Sequence, residues 1–391
     1  MSSKKARVIA FYLPQFHPIP ENDLWWGKGF TEWTNVAKAK PLFKNHYQPR
    51  IPADLGFYDL RIPEVRQAQA ELAREAGIEG FCYYHYWFGN GKRLLERPFQ
   101  EVLRSNKPDF PFCLCWANHS WSNRTWEKSN LFEHNSLLME QQYLGENDYT
   151  EHFYSILDAF KDERYIKIDE KPIFLIYDVY AFEEISFFIK KWRELAKLNG
   201  LKDIYFIGMT NSTLSFRFNS KGQKVNVLPN LVSSSEVYNY VLNLGFDAVN
   251  SFGKRRGEML YSGKYADLVK KVLTRIGLNF VTNKFDYEKT VRGYFVSEDK
   301  WENVFPTILP QWDRSARVGK ADGVYVNSQP EKFKIHVENA LKYVLDKEPE
   351  HRVIFLKSWN EWAEGNYIEP DLRYGKKYIE VLNECLNKEN K

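Results

Sequence analysis

Cysteine is scarce: the 391-residue chain has four, with no Cys-x-x-Cys pair, which argues against a disulfide framework or a thiolate metal clip. Three of them, Cys82, Cys113 and Cys115, lie in apolar runs and read as small core residues of a reducing compartment. Long hydrophobic runs are missing as well. The apolar stretch after the charged start Met1–Arg7 covers only Val8–Leu13 and stops at Pro14, too short for a signal segment. No later run approaches the roughly 18 to 20 apolar residues of a membrane span, so a cytoplasmic protein without stable membrane insertion is expected.

Charge of one sign is also lacking. Fifty-five basic residues against 51 acidic give +4, and no basic patch accompanies a nucleic-acid motif, so no nucleic-acid partner is expected. There is no Gly-x-x-x-x-Gly-Lys phosphate loop, no Gly-x-Ser-x-Gly elbow and no Asp-x-Asp pair, which removes the nucleotide-loop and serine-hydrolase readings. The eight histidines are scattered without a His-Glu-x-x-His spacing; the expectation is no metal and no cofactor. Oligomeric state is not encoded in any pattern found.

Aromatic rings, by contrast, are abundant: 16% of the chain, with 12 Trp and 24 Tyr. Flat rings with one polar atom suit the C–H faces of sugars, a bias toward an oligo- or polysaccharide partner. Short apolar runs recur along the chain: 7–14, 79–88, 111–118, 171–178, 204–210, 245–252, 304–313 and 352–356. Helical spacing lies between them at 62–77, 96–105, 149–160, 183–198, 265–276, 329–345 and 375–386. The forty residues after the first run show no clear period and read as a long functional loop. Eight strands alternating with helices predict an α/β fold, a (β/α)8 barrel with long decorated βα loops, occupying residues 1–391 as one domain.

In such a barrel the C-terminal strand ends share one face, and polar or aromatic residues cluster where these strands end. Gln15 and His17, His85 and Trp87, Asn118 and His119, Tyr177 and Asp178, Asn211, Asn250, and Gln311, Trp312 and Asp313 all fall there. The last strand runs directly into Ser358-Trp359-Asn360-Glu361-Trp362-Ala363-Glu364-Gly365. Two acids among rings and amides match what glycosidic chemistry needs: one carboxyl kept protonated, one ionised. Trp359 and Trp362 are expected to desolvate one of them, and spacing alone does not say which.

The segment 359–365, followed by Ile368-Glu369-Pro370, resembles the catalytic segment of the family 99 glycoside hydrolases, endo-α-mannosidases and endo-mannanases. The motifs 11–17, 29–35 (with Trp33), 84–88 and 116–121 resemble the WbsX family, described as glycosyltransferases of O-antigen and capsule clusters. The resemblance implies a retaining reaction through a 1,2-anhydro sugar, in which Glu361 deprotonates the sugar 2-hydroxyl and Glu364 protonates the leaving oxygen. It also implies Tyr12, His85, Tyr86, Trp116, Asn118 and Trp121 as sugar-subsite residues. Ala363 stands where the mannosidases have His, so contacts there need not carry over. The expected activity is a glycoside hydrolase or transglycosylase on bacterial surface polysaccharide, with a glycosyltransferase as the alternative and a non-catalytic sugar-binding barrel as a third reading.

Overall fold

The computed structural model describes residues 4–122, 137–181, 183–210, 216–218, 224–226, 233–263, 283–319 and 322–387. Eight parallel strands close into a barrel: β1 (Arg7–Tyr12), β2 (Gly80–His85), β3 (Phe112–Trp116), β4 (Lys171–Ile176), β5 (Tyr205–Thr210), β6 (Ala248–Ser251), β7 (Val304–Ile308) and β8 (Val353–Leu356). The ring closes between β1 and β8, with Arg7 opposite Val353, and continues through β3 and β4, with Leu114 opposite Phe174. These strands are almost wholly buried, because helices cover the outside while side chains fill the inside.

Each strand is followed by a helix: α1 (Pro63–Glu75), α2 (Arg97–Ser105), α3 (Glu146–Lys161), α4 (Ile185–Leu198), α5 (Ser234–Asn243), α6 (Lys254–Ser262), α7 (Pro330–Val344) and α8 (Lys377–Asn387). Proline in the first turn of α1, α2 and α7 starts those helices without losing a backbone bond. All eight expected strands form. The helices α5 and α6 went unforeseen, and the helix expected at 265–276 lies outside the described residues, as does Asn211. The unperiodic loop after β1 carries two seven-residue helices, Pro20–Trp26 and Glu32–Lys38, each too short for a period to register.

Period-two alternation decides which strand residues look inward. Phe11 stacks between Tyr84 and Phe355 inside the barrel, with ring centroids 5.6 and 5.4 Å apart. Their neighbours face the helices instead: Tyr12 donates to Gln69 on α1 at 2.6 Å, and His85 lies 2.8 Å from His152 on α3. On the β6–β7 side, a two-stranded ribbon (Lys284–Asp286 with Val324–Val326) adds a small aromatic core that includes Trp312.

Candidate active site

A cavity of about 550 Å³ opens at the C-terminal mouth of the barrel. Its wall includes Gln15, Tyr84, Tyr86, His119, Trp121, Tyr177, Trp312, Lys357, Glu361 and Glu364. These come from the loops after β1, β2, β3, β4, β7 and β8, the place where barrels of this type assemble their sites.

The β8 loop is held by its own side chains. Asn360 acts as a surrogate peptide: its Oδ1 accepts from Leu13 N at 2.8 Å and its Nδ2 donates to Leu13 O at 3.0 Å, extending the β1–β8 pairing beyond the strands. Ser358 Oγ accepts from Glu361 N at 2.9 Å, and Asn366 Nδ2 donates to Glu361 Oε2 at 3.2 Å. Gly365 has φ +62°, and a Cβ there would stand 2.9 Å from the Cβ of Asp313, so both conformation and space demand glycine. That close approach lets Asp313 N donate to Glu364 O at 2.8 Å, fixing the second acid against the end of β7.

The two carboxyls differ sharply in electrostatic setting. Glu361 is 4% exposed, and burial together with the Glu364 charge raises its pKa despite Lys357 Nζ at 3.4 Å from Oε1. Burial also opposes the Glu364 charge, but Arg317, Arg314 and Lys357 outweigh it and hold this pKa well below the usual carboxylate range. Arg317 Nη1 lies 2.5 Å and Arg314 Nε 3.3 Å from Glu364 Oε1. Glu361 is therefore the acid driven toward its protonated form and Glu364 the one held ionised. This is the reverse of the order implied by the family 99 resemblance.

Arg317 is shared. Its Nη2 lies 2.7 Å from Glu32 Oε1, and Glu32, fully withdrawn from water, has a pKa raised to about 7 by burial against the pull of Arg317. Lys357, immediately after β8, donates to Tyr84 OH at 2.9 Å; burial works against its charge, but Glu361, Tyr177 and Glu364 hold its pKa above the ordinary value.

Of the site residues expected from sequence, Gln15, Tyr86, His119, Trp121, Tyr177, Asn250, Trp312, Glu361 and Glu364 line the cavity. The others stand behind it, and strand alternation explains several. Tyr12 and His85 face the helix layer as described, Trp116 packs on Phe188 of α4 at 5.2 Å, and Trp87 Nε1 donates to Asp148 on α3 at 3.2 Å. Asn118 Nδ2 donates to Asp178 O at 2.9 Å, bridging two loops, and Gln311 Oε1 accepts from Arg50. His17 is buried, and Trp33 Nε1 donates to Tyr58 O at 2.7 Å. Trp359 packs on Phe81 at 5.3 Å, while Trp362 stacks on Tyr367 at 3.7 Å and donates to Glu369 at 2.6 Å. Neither tryptophan forms the cavity wall beside the acids. Tyr84, Lys357, Arg314, Arg317 and Glu32 were missed. Tyr84 could have been found by counting alternate residues from Cys82, the residue opposite Phe11 on β2; Glu32 sits in the 29–35 motif; nothing local marked the arginines.

Fold and site together define a (β/α)8 barrel with a pair of acids at its C-terminal mouth. Residues 8–382 match the family described as "Glycosyltransferase WbsX", and the chain belongs to that family. It is 32% identical over 384 residues to WxcX, an uncharacterized protein of Xanthomonas campestris pv. campestris; the match takes in 98% of this chain. The chain spans about half the length (50%) of the curated relatives it matches. Among solved structures, a "glycoside hydrolase-like protein" aligns with TM-score 0.60 at 16% identity, over 99% of this chain and 95% of the other. A family 99 endo-α-mannosidase from Bacteroides thetaiotaomicron aligns with TM-score 0.55 at 14% identity, over 97% of this chain and 96% of the other. At that identity these likenesses establish the fold alone. Among the described residues, no helix is long and apolar enough to cross a membrane, and no group of three His, Cys, Asp or Glu is placed to hold a metal ion.

Proposed function

We propose that this protein is a carbohydrate-active enzyme, one catalytic domain over residues 1–391, that cleaves or transfers glycosidic bonds of a bacterial surface polysaccharide or related glycan. One observation carries the reading: two carboxyls face one aromatic-lined cavity in opposite electrostatic settings, Glu361 pushed up by burial and Glu364 held down by Arg317, Arg314 and Lys357. Glycosidic chemistry needs that division. Four free, buried thiols suit a cytoplasmic setting.

Acids three residues apart on one loop, both facing the cavity, suit two neighbouring oxygens of one sugar. Glu361 gives its proton to the glycosidic oxygen as that bond breaks, while Glu364 takes the proton of the 2-hydroxyl, whose oxygen closes on C1 to form a 1,2-anhydro sugar. Water or an acceptor hydroxyl then attacks C1, giving a proton back to Glu361, as Glu364 reprotonates O2. Two inversions retain the anomeric configuration. Tyr86, Trp121, Tyr177 and Trp312 supply ring faces for the sugars.

The test is turnover of a panel of surface-polysaccharide and mannan oligosaccharides, followed by NMR of the anomeric protons. Wild type yields a first product of retained configuration, and Glu361→Gln and Glu364→Gln are inert on the same glycan. Full activity in either variant ends this reading. The family description favours a second, synthesis from an activated sugar donor; product formation from a nucleotide sugar with no cleavage of any glycan would select it.

A further inference from the structure

One guanidinium beside the acid pair also serves a third acid. Arg317 sits on the single helical turn Ser315–Val318 of the β7 loop, which Asp313 anchors by accepting from Ser315 N at 3.0 Å. Its Nη1 lies 2.5 Å from Glu364 Oε1 and its Nη2 2.7 Å from Glu32 Oε1, so the two prongs of the fork are divided between acids of the β8 and β1 loops. Glu32 is not part of the cavity wall. It is the first residue of the helix Glu32–Lys38; its N donates to Gln15 O at 3.2 Å, and the neighbouring Trp33 packs on Trp362 with ring centroids 5.4 Å apart. Those contacts seat it between Gln15, which lines the cavity, and the loop that carries Glu361 and Glu364.

Stability does not account for this placement. Glu32 is fully buried, and its Oε2 has no hydrogen-bond partner among the described residues. A carboxyl buried with one oxygen unpaired costs free energy, and a buried ion pair at best offsets its own desolvation. Arg317 meanwhile has a second acid in Glu364, so its charge is compensated without Glu32. Arrangements that local energetics disfavour belong where function demands them. Dividing the fork meets such a demand. A guanidinium facing a single carboxylate takes both its oxygens in a bidentate clasp, and a base so clasped loses its hold on a proton. With Nη2 committed to Glu32, Arg317 orients Glu364 through Nη1 and shares its charge between two acids.

We propose that Glu32 is a positioning residue of the reaction: by drawing one prong of Arg317 away from the cavity, it keeps Glu364 oriented yet able to take the proton of the sugar 2-hydroxyl. Glu32 meets no reacting atom and acts through Arg317. This rests on the carbohydrate reading above and adds a third acid to it.

Kinetics of the full chain on the panel oligosaccharide that wild type cleaves test the assignment, with a crystal structure of Glu32→Ala as a readout independent of turnover. Glu32→Gln should lower kcat by about 10²-fold and leave KM within about threefold, since a misplaced base slows the chemical step and Glu32 does not contact the sugar. Glu32→Asp, which keeps the charge, should stand about tenfold above Glu32→Gln. In the Arg317→Met background, adding Glu32→Gln should raise stability and leave kcat within about threefold, because the group through which Glu32 acts is gone. A merely structural role would move rate and stability together. In the Glu32→Ala crystal, Arg317 turns both prongs onto Glu364. Wild-type kcat in Glu32→Gln, an undiminished loss in the Arg317→Met background, or an unmoved Arg317 in the crystal would each overturn the assignment. In those cases inactivity of Glu364→Gln on the same oligosaccharide would leave the carbohydrate reading standing, whereas a wild type that turns over no glycan would remove both.

Discussion

Glu364 and Glu369 stand five residues apart on one loop, Glu364 half-buried at the cavity and Glu369 buried behind it, and their surroundings drive them in opposite directions. Glu364 touches two guanidinium groups and stays ionised. Glu369 meets only neutral donors, with Trp362 Nε1 at 2.6 Å, Gln69 Nε2 at 2.7 Å and Tyr58 OH at 2.9 Å, and burial lifts its pKa to about 7. It ties the β8 loop to α1 and to the β1 loop, and it does not line the cavity. Burial alone therefore does not mark a working acid; cationic neighbours and an opening onto a cavity do.

Substitution should separate the two acids most strongly in rate. Glu364→Gln and Glu361→Gln are expected to lower kcat/KM on the glycan by ~10³- to 10⁴-fold, ~4–5.5 kcal/mol of barrier, whereas Glu369→Gln keeps it within about tenfold. Steady-state kinetics on the three variants checks this, and equal losses would erase the distinction. Arg317→Met removes the cation that Glu32 and Glu364 share, leaving buried Glu32 without its ion-pair partner and Glu364 with Arg314. A loss of about 3–5 kcal/mol in urea denaturation is expected, and adding Glu32→Gln should recover part of it.

The contrast sharpens with pH. Glu369 keeps its proton in the fold up to about pH 7, while the ordinary value is 4.5. Between those values the folded state binds more protons than the unfolded chain, so stability falls as pH rises through the window, and the loss is complete above it. The contribution is of the order of 3 kcal/mol. Glu32 adds a fall of the same sign. Denaturation midpoints at pH 5 and pH 8 should therefore differ less in Glu369→Gln than in wild type; an unchanged difference would mean that Glu369 is ionised in the fold. The smallest effect is expected one residue apart on β2. Tyr84→Phe deletes the hydroxyl that receives Lys357 and should cost about tenfold in kcat/KM with little change in stability. His85→Phe should show the opposite split, because His85 belongs to the helix layer.

The barrel was legible because each strand is a short apolar run with polar or aromatic residues at its end, a pattern that survives without tertiary information. The acid pair was legible for the same reason, being the densest cluster at any strand end. What sequence reading blurred was direction: Tyr12, His85 and Trp116 sit at strand ends but one residue out of phase with Phe11, Tyr84 and Cys115, and phase decides between cavity and helix layer. The cations escaped because Arg314 and Arg317 lie on and beside a single helical turn, Ser315–Val318, in the β7 loop, where basic residues ordinarily reach water. Only the fold brings Arg317 between Glu32 and Glu364, 285 and 47 residues distant in sequence. The helices of the β1 loop are each two turns or less, below the length at which periodicity speaks.

The central claim is the direction of proton flow, from Glu361 to the leaving oxygen and from the 2-hydroxyl to Glu364. Leaving-group dependence tests it most directly, because a dinitrophenyl glycoside of the cleaved sugar departs without acid help. Glu361→Gln should recover near wild-type release of dinitrophenol while Glu364→Gln stays inactive on the same compound. Recovery in Glu364→Gln and inactivity in Glu361→Gln would contradict the assignment.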